Sequence, residues 1–181
     1  NQSLSESDLN DFYTLKACTH ILFNKQYSPL QVKLYKELQL VNYLYSFVDI
    51  NQTNGTGRLM IGFEAKDTSK LREITDIMFS ELKKYEKGYF TQEQLNTLIH
   101  RYEAENILKD SSIEDECNEI GENMIQYGTP DAFDLQMENM KKIKPEDLNY
   151  VVKKYFNPSS KYYFFAIPTG QSEQFAQNEK V

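Results

Sequence analysis

Two strand-like segments joined by a short turn lie between helical segments, and this order limits the possible folds most. VNYLYSFVDI, Val41 to Ile50, is rich in the β-branched and aromatic residues that favour strands. RLMIGFEAK, Arg58 to Lys66, alternates apolar and polar residues at the period of a strand. Its apolar face would carry Leu59, Ile61, Phe63 and Ala65. Asn54-Gly55 in the connecting NQTNGTG suits a tight turn, so we predict an antiparallel hairpin.

Helical patterns precede and follow the hairpin. One helix is expected over about 8–24, and a second from Ser28-Pro29 to about Leu38, because serine is a good N-cap and proline fits the first helical position. Apolar spacing and capping residues predict further helices from Leu71 to Gly88, and from Thr91, Ser111-Ser112, Thr129-Pro130 and Lys144-Pro145. YYFFAI, Tyr162 to Ile167, predicts a buried last strand.

These elements predict an α+β fold in which several helices pack on one face of an antiparallel sheet. Neither a linker nor an internal repeat divides the chain, so we expect a single domain over 1–181 whose tail, 169–181, is loose. Its 181 residues can bury a core without a disulfide or a metal.

Charge and hydropathy exclude two classes of partner. The formal net charge is −7, and no cluster of Lys or Arg accompanies exposed aromatic residues, so a nucleic-acid partner is not expected. The longest apolar runs are strand-length, far below the roughly 20 residues of a membrane helix, so no membrane span is expected. The polar N-terminus lacks the apolar segment of a signal peptide.

Cys18 and Cys117 lie too far apart in sequence for a C-x-x-C redox or zinc motif. Each falls on or beside the apolar face of a predicted helix. We therefore expect two small buried side chains, with a disulfide or a nucleophilic role as the alternatives.

The segment LIHRYEAEN carries an incomplete zinc-peptidase motif. His100 and Glu103 match H-x-x-E-H, but Ala104 stands where the second histidine would bind the metal. The apolar face of this helix runs through Leu95, Leu98, Ile99 and Tyr102. His100 lies nearly opposite that face, so a solvent-exposed pair with Glu103 is expected.

His20, the second histidine, lies in another helix and is expected to be structural. A self-contained enzyme would need both imidazoles at one metal, which nothing in the pattern indicates. We expect no catalytic residue and no metal ligand in this chain.

The order of the segments resembles the insulinase, or pitrilysin, family of zinc metallopeptidases, which includes the mitochondrial processing peptidase. The likeness is to the non-catalytic domain that follows the zinc-bearing one, and it covers about 9–168. Five stretches carry it: Ser28-Pro29-Leu30, Gly88, Thr91 to Gln94, Pro145-Glu146-Asp147-Leu148 and Tyr155-Phe156-Asn157-Pro158.

The resemblance implies a division of labour. The zinc-bearing domain or subunit cuts, and this domain encloses the peptide substrate, with no cofactor of its own and zinc in its partner. An inactive assembly module of the same fold is the alternative. The resemblance also implies an exported, periplasmic parent protein and is compatible with a homodimer.

The resemblance suggests four candidate substrate-binding residues. In the family, an arginine and a tyrosine seven residues apart help to hold substrate. Counting from Ser28, those positions are Tyr35 and Asn42, whereas Lys36 and Tyr43 keep the spacing and the cation-plus-phenol character after a shift of one residue. Helix and sheet packing is the alternative role for Tyr35 and Tyr43.

Overall fold

The computed structural model describes residues 6–51, 56–109, 112–156 and 163–166. Two helical segments come first: α1, Glu6–Leu22, and α2, Pro29–Gln31, which continues as a π-helix over Val32–Glu37. The strands β1, Val41–Asn51, and β2, Thr56–Ala65, follow. A 3-10 turn, Thr68–Lys70, leads into α3, Leu71–Tyr85. The other α-helices in the described part of the chain are α4, Gln92–Ile107, α5, Ile113–Tyr127, α6, Ala132–Met140, and α7, Pro145–Tyr155.

The predicted α+β fold is confirmed, with the helices around one face of the hairpin. β1 and β2 pair antiparallel from Val41 opposite Ala65 to Asn51 opposite Thr56. The inner face of the hairpin carries Leu44, Ser46 and Val48 on β1 and Leu59, Ile61 and Phe63 on β2. The predicted Asn54-Gly55 turn lies outside the described residues.

The core forms around α1, which contacts α4, α6, α7 and β1. Phe23, just after α1, is fully buried and stacks on Phe156 with ring centroids 6.2 Å apart. Nearer the start of α1, Asp11 accepts hydrogen bonds from Lys154 Nζ at 2.6 Å and Tyr155 OH at 2.7 Å. These contacts hold α1, which also contacts β1, against α7.

The helix ends predicted at Thr91 and Gly88 are confirmed, and so is a serine cap at the start of α5. Thr91 and Gln94 form a capping box at the start of α4, and Ser112 and Asp115 form another at α5. Gly88 ends the α3 region with φ at +105°, a conformation that glycine adopts readily. No helix among the described residues combines the length and apolar character needed to cross a bilayer.

Two burial predictions are wrong. Cys18 is buried as expected, but Cys117 is exposed, because α5 turns its apolar face to solvent. The expected buried strand at 162–167 is contradicted over 163–166, which form no strand and are exposed, Phe164 by 92%. A strand needs a neighbour to satisfy its backbone, and none in the described part of the chain pairs with this segment. The tail, 169–181, lies outside the described residues.

Candidate functional site

The outer face of the hairpin carries three aromatic side chains, which we call the aromatic row: Tyr43, Tyr45 and Phe47. They alternate along β1 and are 51%, 42% and 38% exposed. The rings of Tyr43 and Tyr45 stack with centroids 6.1 Å apart. The guanidinium carbon of Arg58 lies 5.5 Å from the ring centre of Phe47. Exposed apolar surface of this kind can bind a partner or ligand.

Gly62 allows Tyr45 to lie across β2. The two residues are cross-strand partners. A Cβ atom added at Gly62 would come within 2.3 Å of Tyr45 Cζ. The tyrosine ring therefore occupies the space that any other residue at position 62 would use, and it extends the aromatic row towards β2.

Asn42 is the extra residue of a β-bulge at the start of β1. Val41 pairs with Ala65 and Tyr43 with Glu64, which leaves Asn42 without an opposite residue. Its side-chain amide donates to Glu64 Oε1 at 2.7 Å. A bulge shifts the alternation of side chains, so Tyr43 points to the outer face although Val41, two residues earlier, is buried.

The π-helical turn precedes β1 and holds the other two candidate residues. Leu38 N donates to Lys33 O, five residues back, at 3.1 Å. Tyr35 is 44% exposed, and Lys36 Nζ lies 4.5 Å from the ring centre of Tyr27. The structure thus places Asn42 and Tyr43 together at the bulge and holds Lys36 against Tyr27.

On the edge of β1 that faces away from β2, side chains of Asn24 and Gln31 bind backbone groups. Asn24 Oδ1 accepts from Ser46 N, and Asn24 Nδ2 donates to Ser46 O, both at 2.8 Å. Gln31 Nε2 donates to Leu44 O at 2.5 Å. An added strand would need these same backbone groups. Within the described residues β2 has β1 as its only strand neighbour, so its outer edge is the more open one.

His100 and Glu103 form an exposed pair on α4, as their helical positions predict. His100 is 80% exposed, and its Nδ1 lies 3.5 Å from Glu103 Oε2. Lys141 Nζ lies 2.8 Å from Glu103 Oε1, and its hydrogen bond holds the pKa of this carboxyl below its usual range. Ala104 offers no donor atom, so this turn does not fit the zinc site of the motif.

His20 lies in a cationic surrounding between α1 and α4. Its Nδ1 is 3.4 Å from Arg101 Nη2, and its ring meets that of Tyr102 edge-on at 5.2 Å. Burial first, and then the charges of Arg101, Lys16 and Lys25, lower the pKa of His20 to about 4. Positive neighbours oppose a second cation at this ring. Across the described residues, no three His, Cys, Asp or Glu side chains are grouped to hold a metal ion.

Residues 2–102, more than half of the chain, match the family profile of the peptidase M16 inactive domain. The chain belongs to this family. The M16 relationship confirms the resemblance noted from the ordered segments.

Three solved structures share the fold of this M16 domain. A candidate zinc protease from Bordetella pertussis aligns with a TM-score of 0.71 at 20% identity, over 92% of this chain and 91% of that chain. The inactive peptidase domain of a candidate zinc protease from Bordetella parapertussis has the same TM-score and identity, over 88% and 85%. A protease from Helicobacter pylori gives 0.66 at 21%, over 82% of this chain but 35% of that chain. No curated protein sequence matches the chain significantly.

Sequence reasoning missed several residues of this surface. Tyr45 and Phe47 could have been found, because they alternate with apolar inward-facing residues in VNYLYSFVDI. Nothing in the sequence indicates the role of Asn24 and Gln31, because their hydrogen bonds to the edge of β1 depend on how α1 and α2 pack against it.

Proposed function

We propose that this chain is the non-catalytic domain of a zinc-dependent endopeptidase and that it encloses the peptide substrate. The zinc and the catalytic residues would belong to another domain or subunit. The observation that carries the proposal is the exposed aromatic row beside an open strand edge. Family membership supports it, and so does the poor fit of His100, Glu103 and Ala104 to zinc. The chain spans 35% of the Helicobacter pylori protease, so a protein of that kind has room for a catalytic part.

An extended peptide would bind by adding a strand to the outer edge of β2. Backbone hydrogen bonds along such an edge give affinity that is largely independent of sequence. Asn24 and Gln31 already satisfy part of the β1 edge, which makes that edge the poorer acceptor. Tyr45 lies over Gly62 of β2, where it could contact side chains of the added peptide.

Of the two candidate residue pairs, Lys36 with Tyr43 is the better match to the family pair. A π turn takes up one more residue than an α-helical turn, because its hydrogen bonds span five residues instead of four. Counting along an ideal α-helix from Ser28 therefore reaches Tyr35 one residue too early. Lys36 and Tyr43 would hold substrate through charge and ring contact, whereas Asn42 would position Tyr43 through the bulge.

We expect the 181-residue chain to bind no stoichiometric zinc and to leave peptides intact. Each of its two helices with histidine supplies a single imidazole, and the charges near His20 are positive on balance: Arg101, Lys16 and Lys25 against Glu105. Metal analysis after dialysis against zinc, together with mass spectrometry of an incubated peptide mixture, tests this. One zinc per chain that disappears in His100→Ala would contradict the proposed division of labour.

Replacing Tyr43 and Tyr45 together with serine should weaken peptide capture at least about tenfold, since aromatic anchors dominate such contacts. Fluorescence anisotropy with labelled β-casein, an unfolded protein, measures the affinity. Tyr89→Ser is the matched control, because Tyr89 is 62% exposed and follows α3, outside the hairpin. Urea unfolding checks that each variant keeps its fold.

Two results would argue against substrate enclosure. If the unaltered chain shows no affinity for β-casein, the alternative of an inactive assembly module is favoured. If the control weakens binding as much as the double variant, the aromatic row is not the binding surface.

A further inference from the structure

Helix α5 has its polar side towards the body of the protein, where it borders a pocket. Glu119, Glu122 and Asn123 line a pocket together with Tyr13 and Lys16 of α1. Ile113, Ile120 and Met124 on the other side are 82%, 49% and 50% exposed, and Cys117 is exposed as well. This orientation is the reverse of that of an ordinary surface helix. Isolated exposed apolar residues need no explanation, but a whole helical stripe indicates an interaction surface.

The spacing of the stripe indicates what shape of partner it fits. Ile113, Cys117, Ile120 and Met124 follow one another at intervals of four, three and four residues. This is the spacing of a coiled-coil seam, in which side chains interlock with those of a second helix lying nearly parallel. We call these four residues the α5 seam. An extended peptide would match a period of two instead.

The charges of α5 indicate the chemistry of that partner. The helix carries Glu114, Asp115, Glu116, Glu119 and Glu122 and contains no Lys or Arg. At about 100° per residue, Glu114 and Glu116 flank the seam on opposite sides. Two copies of α5 lying parallel would bring Glu114 and Glu116 of one copy against those of the other, which is unfavourable. Lysine or arginine on both flanks would be complementary.

We propose that the α5 seam is a docking surface for a helix of another protein or domain whose own apolar stripe is flanked by basic residues. The interlocking apolar residues would give affinity, and the opposite charges would set the partner and its register. This surface is separate from the aromatic row, and its role does not depend on peptide capture there.

A designed peptide of about three heptads, with leucine at the seam positions and lysine on both flanks, is the probe. A matched peptide carries glutamate in place of each lysine. Isothermal titration of the 181-residue chain should show binding of the lysine peptide only. Its affinity should fall about three- to tenfold between low and high salt, because the flanking charges are exposed.

Ile120→Asp should weaken binding of the lysine peptide at least about tenfold, since it places a charge in the centre of the seam. Ile125→Asp is the matched control: Ile125 is 85% exposed on the same helix but lies about 140° around it from Ile120. Because both side chains are exposed, both variants should keep the circular dichroism spectrum and the urea midpoint of the unaltered chain.

Three results would each overturn the proposal. The glutamate peptide could bind as tightly as the lysine peptide, which would make the contact merely apolar. Ile125→Asp could weaken binding as much as Ile120→Asp, which would place the contact elsewhere. Sedimentation velocity could show a dimer of the chain alone that Ile120→Asp dissociates, which would make the seam a self-association surface.

Discussion

Truncating Phe23 to alanine should lower the free energy of unfolding by about 3–5 kcal/mol, the usual cost of removing a buried phenylalanine ring. Phe23 is fully buried, and its ring lies nearly parallel to that of Phe156, at an interplanar angle of 8°. The lost ring would leave a cavity where the end of α1 meets the end of α7. Since domains are stable by only about 5–15 kcal/mol, a large fraction of the stability depends on this contact.

Urea unfolding followed by circular dichroism measures the effect. Phe164→Ala is the matched control, because Phe164 is 92% exposed and its truncation should change stability by less than about 0.5 kcal/mol. Equal losses in the two variants would mean that Phe23 does not have the packing described.

Asn24 follows Phe23 directly and hydrogen-bonds to the edge of β1. Phe23→Ala should therefore also loosen the support of the hairpin.

The elements predicted best are those whose signals are local. Thr91 with Gln94 and Ser112 with Asp115 place complementary side chains three residues apart, and those side chains satisfy backbone groups of the same turn. The alternation in RLMIGFEAK likewise depends only on the geometry of one strand. Helix starts and the faces of β2 were therefore predictable from short segments.

What covers an apolar face is not a local property, and the wrong predictions arise there. The periodicity of Ile113, Cys117, Ile120 and Met124 correctly predicts an amphipathic helix. It does not reveal that the opposite, polar side of that helix lines a pocket with residues of α1 and α6. The segment YYFFAI has the composition of a buried strand, but its burial depends on a neighbouring strand, and no sequence window of that length contains one.

The candidate site residues also depend on structure that the sequence does not show. The residues of the hairpin's outer face follow from alternation once the bulge at Asn42 is known, and the preference for Lys36 over Tyr35 that we propose depends on the π turn. Each irregularity shifts the register by one residue, and neither has a strong sequence signature. The sequence therefore leaves two alternative residue pairs as candidates, and both remain predictions.

Lowering the pH from 7 to 4 should reduce the free energy of unfolding by up to about 3 kcal/mol through His20 alone. Each unit of difference between the folded and unfolded pKa corresponds to about 1.36 kcal/mol. The unfolded residue takes up a proton near its ordinary pKa of about 6.5, whereas burial and nearby positive charges lower the pKa of folded His20 to about 4. Between these values the unfolded state binds more protons. The stabilising contribution of neutral His20 is therefore complete above about pH 6.5 and is lost as the pH falls towards 4.

Urea unfolding of the unaltered chain, His20→Gln and His100→Gln across this pH range isolates the contribution. Glutamine at position 20 cannot take up a proton and still offers Arg101 an acceptor, so the stability of His20→Gln should fall less steeply below pH 6.5. His100→Gln removes an imidazole that is 80% exposed and should keep the steep fall. Carboxylates away from the two histidines are unchanged in all three proteins, so their effect cancels in the comparison, whereas Glu103 beside His100 and Glu105 near His20 do not cancel. Parallel curves for His20→Gln and the unaltered chain would show that His20 is not held neutral by its surroundings, and they would remove the electrostatic reason for excluding a metal at this ring.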